Sequence, residues 1–345
     1  MSQDKSAVVV GAGVSGLICA RKLLDAGWHV RIVDKARGVG GRLSARRVHP
    51  WGSFDIGAQF MTARDPRFQD FLAKEKAQGK VALWTGSLIY REGHTSTPAT
   101  SASRWVGVPG MNGWIKNLCP PEILRLEHTV RKIEMIAGTG WILDEDPSQA
   151  YDEMILALPA PQAAALIPSY SPLKSLCLSV TMEPCWTVYA AIKGTTHLPF
   201  DGAFVRDPSC ALSWMAKGSS KPGRTGLTDV ELWVLQASPQ WTHRHFDTPA
   251  QEVESILLGE LRSLSPSVPS WEVVHQGSHR WRYASSPEAT SFKQPLTDAD
   301  LHLSITGDWI RGGRIEGAFL AGWELGEALI CKEKSLGRSP PKPDA

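Results

Sequence analysis

The chain lacks any run approaching the ~20 uninterrupted apolar residues of a membrane span; Met154–Ile167 comes nearest and contains two prolines. It has almost no net charge, with 37 Lys and Arg against 35 Asp and Glu, which argues against nucleic acid or an anionic membrane as partner. Its six cysteines (Cys19, Cys119, Cys177, Cys185, Cys210 and Cys331) show no CxxC spacing and have no histidine nearby. Buried reduced thiols are therefore expected, and neither disulfides nor a metal site. Too few residues precede the first apolar run for a cleavable signal peptide, so the expectation is a cytoplasmic protein. No internal repeat is visible.

What is present is a globular composition, 42% apolar and 21% charged over 345 residues, enough for about two domains. Fourteen tryptophans leave two readings open, a large aromatic-lined pocket or a bulky core.

The first forty-two residues are the most informative. Ala7-Val-Val-Val10 runs into Gly11-Ala-Gly13-Val-Ser-Gly16, and Asp34 ends a second apolar run that starts at His29. The first glycine allows a tight strand-to-helix turn, the second a close approach to a pyrophosphate, and the third close packing of helix on strand. The helix N-terminus offers free N–H groups and positive dipole to an anion. Asp34 lies about 20 residues further on, where a carboxylate accepts ribose hydroxyls.

Beyond this βαβ-type opening (strands 7–11 and 29–34, helix 14–26), 54–60 reads as extended and 66–77 as a helix opened by Pro66. Residues 80–109 are β-like, 110–118 a helix start, and 129–136 with 140–143 a hairpin. A buried strand is expected at 152–159, further strands at 175–193 and 230–238, and a polar loop at 217–228. A helix is expected over 249–263, strands at 271–275, 279–283 and 301–308, and a closing helix at 317–332. The proline- and charge-rich tail 335–345 reads as disordered.

Three features favour FAD over NAD as the bound dinucleotide. Gly40-Gly41-Arg42 lets the chain pass near a pyrophosphate and neutralise it. Phe54–Phe60 can run under an isoalloxazine. Gly307-Asp308 and Arg314-Ile-Glu316-Gly-Ala-Phe319 stand at a helix start, whose dipole favours the negative charge of a reduced flavin. There is no second GxGxxG for a stably docked nicotinamide nucleotide.

These stretches, with Val108-Pro-Gly-Met-Asn112, Tyr151–Pro161, Glu183-Pro-Cys-Trp186 and Trp281-Arg-Tyr-Ala284, resemble the two-domain flavoproteins built like monoamine oxidase, protoporphyrinogen oxidase and phytoene desaturase. Within that group the sequence is most similar to bacterial renalase-like proteins. The resemblance implies an α/β chain: a Rossmann-type FAD-binding domain of the glutathione reductase/p-hydroxybenzoate hydroxylase kind, with a second, mixed-sheet α+β substrate domain. The implied FAD segments are 1–78, 109–165 and 297–334, and the substrate segments 79–108 and 166–296. The implied activity is oxidation of 2- or 6-dihydro-NAD(P) isomers to NAD(P)+, with O2 reduced to H2O2. An amine oxidase or desaturase of the same fold, or a flavin-binding sensor without turnover, are the alternatives.

The resemblance assigns FAD contacts to Gly11, Ala12, Gly13, Ser15, Gly16, Asp34, Lys35, Gly41, Arg42, Ala58, Gln59, Phe60, Val130, Asp308, Ile315, Glu316, Gly317 and Ala318. Candidate substrate contacts are Arg64, Trp105, Trp186 and His279, with Arg282 beside Trp281. No catalytic base is assigned, since a dihydropyridine becomes aromatic on losing hydride and the cofactor carries that chemistry. No cysteine sits at the motif just before the closing helix, and Cys331 falls at that helix's end, so FAD is expected to be non-covalent. Five tyrosines provide no convincing pair to sandwich an amine. The expected partners are a small dinucleotide substrate and O2.

Overall fold

Val8, Val9 and their neighbours form a strand that is buried on both faces, as a continuous β-branched run requires. In the computed structural model this strand, Ser6–Val10, stands in the middle of a six-stranded sheet. The structure describes residues 5–99, 102–224, 227–264, 271–286, 292 and 294–335. They fall into two compact units, one drawn from Met1–Gly41, Ile115–Met182 and Ser285–Ala345, the other from Arg42–Trp114 and Glu183–Ala284.

The first unit orders its sheet Leu296–Asp298, Leu303–Ile305, Glu153–Leu156, Ser6–Val10, His29–Val33, Leu124–Arg125. Neighbours are parallel except for the antiparallel pair at the Leu296 edge. Helix Val14–Asp25 follows the central strand, and the closing helix Ile315–Ser335 packs against it. Glycine sets that spacing. A Cβ at Gly322 would stand 2.2 Å from the Ser15 carbonyl oxygen, and one at Gly326 would stand 2.7 Å from the Lys22 Cβ. A three-stranded antiparallel sheet (Ile133–Ile136, Gly140–Leu143, Asp146–Tyr151) completes the unit.

The second unit is built on a mixed seven-stranded sheet, in the order Glu272–Ser285, Glu183–Lys193, Val230–Ala237, Leu212–Lys217, Gly202–Val205, Leu88–Glu92, Thr95–Pro98. Gly202–Val205 runs parallel to Leu88–Glu92, while four other pairings are antiparallel. Alternation along Glu183–Lys193 sends Trp186, Val188, Ala190 and Ile192 to a core shared with helix Ala250–Leu264, through Val253, Leu257 and Leu261. Tyr189 and Ala191 face the other way, against Phe54 and Ile56. Both faces of this strand are covered, which explains its nearly unbroken apolar sequence.

Several elements differ from expectation. Strand Gly52–Asp55 stops short of 56–60, which bends. Over 110–118 the regular structure is a short 3-10 turn, Gly113–Ile115. The stretch from 175 opens as a helix, Pro172–Leu178, because Pro172 sits at N1 and Leu173 and Cys177 bury one helical face. Residues 271–283 form one strand rather than two. Gly277, whose Cβ would stand 2.5 Å from the Tyr189 hydroxyl, permits a close cross-strand contact and not a break. Helix Ala160–Leu166 and strand Asp146–Tyr151 had no clear signature. Ser335 ends the closing helix; the rest of the expected disordered tail lies outside the described residues. Of the cysteines, Cys19, Cys119 and Cys177 are buried, but Cys331 is exposed. Among the described residues no helix is long and apolar enough to cross a membrane.

Candidate functional site

In the first unit the glycine turn has the backbone that its sequence requires. Gly11 has φ +113°, and a Cβ there would stand 2.4 Å from the Ala157 oxygen. A Cβ on Gly16 would meet the Gly11 oxygen at 2.1 Å, whereas one on Gly13 would project into open space, with nothing within 4 Å. Gly13 caps helix Val14–Asp25 without a side-chain hydrogen bond. An anion at this turn would therefore meet helix N–H groups that no protein side chain caps. Asp34 is fixed by two backbone donors, Ala12 N at 2.6 Å and Ala36 N at 2.8 Å. Gly40 and Gly41 pass across the same turn: Gly40 N donates to Ala12 O at 2.8 Å, and a Cβ on Gly41 would stand 3.5 Å from the Gly13 Cα.

A second segment reaches the Asp34 end of this cradle. His128 N donates to Asp34 O, and Glu127 N to Ala36 O, each at 3.0 Å. Val130, half-buried, follows two residues later. Asp144 holds this loop through His128 Nε2 at 2.7 Å and Arg131 N at 2.7 Å. Burial alone would raise the Asp144 carboxyl, but those bonds bring it below its ordinary range. Lys35 is exposed.

At the chain's other end, Asp308 is buried in a 3-10 turn, and its carbonyl accepts from Arg311 N and Gly313 N. Ile315, Glu316, Gly317 and Ala318 form the first turn of the closing helix, where a Cβ on Gly317 would stand 2.3 Å from Arg311 O. The contact of Gly322 with Ser15 ties this helix to the one that follows the opening turn. These residues fit a dinucleotide diphosphate, because the space over Gly13 is one that any larger residue would fill.

In the second unit, Arg42 crosses the bend after Asp55. Ala58 N donates to Arg42 O at 2.9 Å, and a Cβ on Gly57 would stand 2.0 Å from that oxygen. Trp281 lies beside the crossing and donates to Ile56 O at 3.0 Å. His279 meets the Trp281 ring edge-on at 4.2 Å. Burial, reinforced by Arg46, lowers the His279 pKa, so its neutral form is favoured.

Gln59 is buried and turned inward. Its amide nitrogen donates to the carbonyls of Asp55 and Gly57, and its oxygen accepts from Lys221 Nζ at 2.9 Å. That lysine belongs to a cluster the sequence reading missed. Arg224 Nη2 lies 2.5 Å, and Lys221 Nζ 3.3 Å, from the same Asp55 oxygen, and all three side chains are essentially inaccessible. Burial alone would raise the Asp55 carboxyl, but the two cations and the Met111 N–H hold it below its usual range. Burial, against the pull of Asp55, brings Lys221 down to about 8. The partners are separated by 166 and 169 residues, and both cations come from a loop expected only to be polar. Local pattern carries no signal for such a cluster.

The candidate substrate residues do not converge. Trp186 is a core residue and not a pocket wall, with its indole N–H on His245 O at 2.9 Å and its ring among the residues under helix Ala250–Leu264. Alternation along its strand sends it to the helix-covered face. Arg64 and Arg282 are exposed. Trp105 pairs with Met61 through two backbone bonds of 2.7 and 2.8 Å, which places it in space beside the residue that follows Gln59–Phe60.

Residues 9–74 match the family model for an NAD(P)-binding Rossmann-like domain, and 93–330 match that for flavin containing amine oxidoreductase. Among solved structures, the chain is similar to one assigned as a protoporphyrinogen oxidase from Exiguobacterium sp. 255-15, with TM-score 0.75 and 12% identity over 96% of this chain and 100% of that one. It is also similar to reduced UDP-galactopyranose mutase, with TM-score 0.74 and 10% identity over 96% and 94%. Cyclohexylamine oxidase from Brevibacterium oxydans IH-35A gives TM-score 0.71 and 14% identity over 97% and 100%.

Proposed function

Because the chain belongs to the flavin-containing amine oxidoreductase family, and is thereby an FAD-dependent oxidoreductase, we propose that it is an oxidase of renalase type acting on 2- or 6-dihydro-NAD(P) isomers. FAD, when bound, supplies the hydride acceptor and the route for electrons to O2, which leaves as H2O2. The Gly11–Gly16 turn and the Gly40-Gly41 strap hold its diphosphate. Asp34 and the Val130 loop take its adenosine end, while Asp308 and the Ile315–Ala318 turn take the flavin end. The resemblance also assigns Arg42, Ala58, Gln59 and Phe60 to the cofactor; in the second unit the Gln59 amide is already spent on protein partners. Cys331 lies in the last turns of the closing helix, which fits non-covalent binding.

The observation that carries the substrate reading is the commitment of Asp55, the acid two residues before the Gly57 bend. It is buried and shared by Lys221 and Arg224, whose side chains are as inaccessible as its own, so it offers no carboxylate to an amine. An aliphatic ammonium would therefore find no partner in Asp55. Asp55 is committed to two cations and His279 is favoured neutral, so neither is poised as a strong base. A dihydropyridine needs none, because loss of hydride makes it aromatic. The protein's part is then to orient the donor and exclude water.

The test is anaerobic mixing of the yellow holoenzyme with borohydride-reduced NAD, a mixture of dihydro isomers. We expect rapid bleaching and recovery of colour in air, with ordinary 4-dihydro-NAD and simple amines leaving the colour unchanged. Bleaching by amines alone would make the protein an amine oxidase. Colour that survives every donor would make it a flavin-binding sensor.

A further inference from the structure

A row of side chains crosses one face of the seven-stranded sheet. Tyr90 pairs with Phe204, Phe204 with Trp214, and Trp214 with Gln236, and directly paired residues share a face. The row ends at the Gly57 bend, where Gln236 Nε2 donates to Gly57 O at 2.8 Å. Two rings from other segments join it. Phe60 lies 6.1 Å from Phe204 and 5.7 Å from Trp214, and Trp84 lies 6.5 Å from both Phe60 and Trp214. Phe204 and Trp214 are themselves 4.5 Å apart.

Three properties distinguish this cluster from a packed core. Phe60, Tyr90 and Phe204 keep part of their surface accessible. The Trp214 indole N–H is buried without a hydrogen-bond partner among the described residues, although a buried donor normally has one; Trp186 and Trp141 both donate to carbonyls. Cations also stand over the rings. Arg206 lies 3.8 Å from the Tyr90 centroid and Arg104 5.6 Å from that of Phe60. Arg104 is half-buried and donates to Ala99 O at 2.7 Å. No carboxylate pairs with it among the described residues. Aromatic faces, an idle N–H donor and a partly desolvated guanidinium together match a flat, nitrogen-containing ring tethered to an anion.

We propose that Phe60, Trp84, Phe204, Trp214 and Arg104 form a subsite for a planar heteroaromatic ring carried on a ribose phosphate, with the ring against the accessible surface of Phe60 and Phe204 and the phosphate at Arg104. This deepens the dinucleotide-substrate reading and rests on it. Both halves of a dinucleotide have this chemistry, so nicotinamide mononucleotide and adenosine monophosphate serve as separate probes.

The experiment titrates each mononucleotide into FAD-replete wild type, Arg104→Met, Arg104→Lys and Phe204→Leu by calorimetry, alongside steady-state kinetics with the dihydro-NAD mixture. One probe should bind wild type. Arg104→Met should weaken that probe about tenfold, and Arg104→Lys should restore much of the loss, as for a lost charge-assisted contact. In both Arg104→Met and Phe204→Leu, KM should rise while kcat changes little. Failure of both probes to bind wild type overturns the subsite. So does an Arg104→Met protein, folded and FAD-loaded, whose affinity and KM stay within about twofold of wild type. If the isomers bleach the enzyme but Arg104→Met is indifferent, the subsite falls and the activity stands. If a mononucleotide binds in an Arg104-dependent way but no isomer bleaches, the activity falls and the subsite stands.

Discussion

In the first unit, the groups suited to a dinucleotide are backbone atoms: uncapped N–H groups at Gly13, the space beside it, and Asp34 clamped by Ala12 N and Ala36 N. In the second unit the defining contacts are between side chains delivered from distant segments, with Asp55 meeting Lys221 and Arg224 and Phe60 meeting Phe204 and Trp214. The first arrangement tolerates almost any neighbouring side chain but few changes of backbone. The second depends on buried charges and rings that must arrive together, and it fails when one partner is removed.

The largest effect should come from breaking the second arrangement. Asp55→Asn leaves two buried cations without their shared carboxylate and should cost about 3–5 kcal/mol of stability in urea unfolding. Lys221→Met should cost clearly less, because it leaves one balanced Asp55–Arg224 pair. Equal losses would mean that the three do not act as a charge cluster.

Next comes the cradle. Gly16→Ala places a Cβ 2.1 Å from Gly11 O and should abolish retention of FAD during purification. Gly13→Ala, which meets no atom within 4 Å, should leave apoprotein stability within about 0.5 kcal/mol. The same change should weaken FAD binding in apoprotein titrations. If Gly13→Ala binds FAD normally, the diphosphate does not lie over that glycine.

Asp34→Asn should weaken FAD by about 1–3 kcal/mol, the scale of a lost charged hydrogen-bond acceptor. The smallest effect is a pH dependence. Burial depresses Lys221 to about 8 in the folded protein, against roughly 10.4 in an unfolded chain. Over that window the unfolded state binds more protons, so this group makes stability rise with pH. Below about 8 its effect is flat. The difference between wild-type and Lys221→Met unfolding free energies should show that slope; an opposite slope would mean that the ammonium is not desolvated.

Much of the first unit was legible along the chain. The strand–turn–helix of 6–25, the acid at 34 and the closing helix follow from local apolar period, glycine spacing and cap chemistry, each acting within a few residues. The bend after Asp55 was harder, because it depends on the close approach of Gly57 to Arg42. Trp186 was misplaced because a strand covered on both faces gives no sequence clue to which face meets a helix. Lys221 and Arg224 looked like ordinary loop charges, since only contact with Asp55 across more than 160 residues removes them from water.

The sequence by itself determined a strand, glycine turn and helix followed by an acid at the chain's start, and an amphipathic helix at its end, because glycine turns, caps and amphipathic period are local and need no partner to be read. Tertiary structure alone decided which charges are buried, which tryptophans pack into the core, and how Lys221 and Arg224 reach Asp55 across the chain. Burial and pairing are properties of a side chain's surroundings, and in the second unit those surroundings come from elsewhere in the chain.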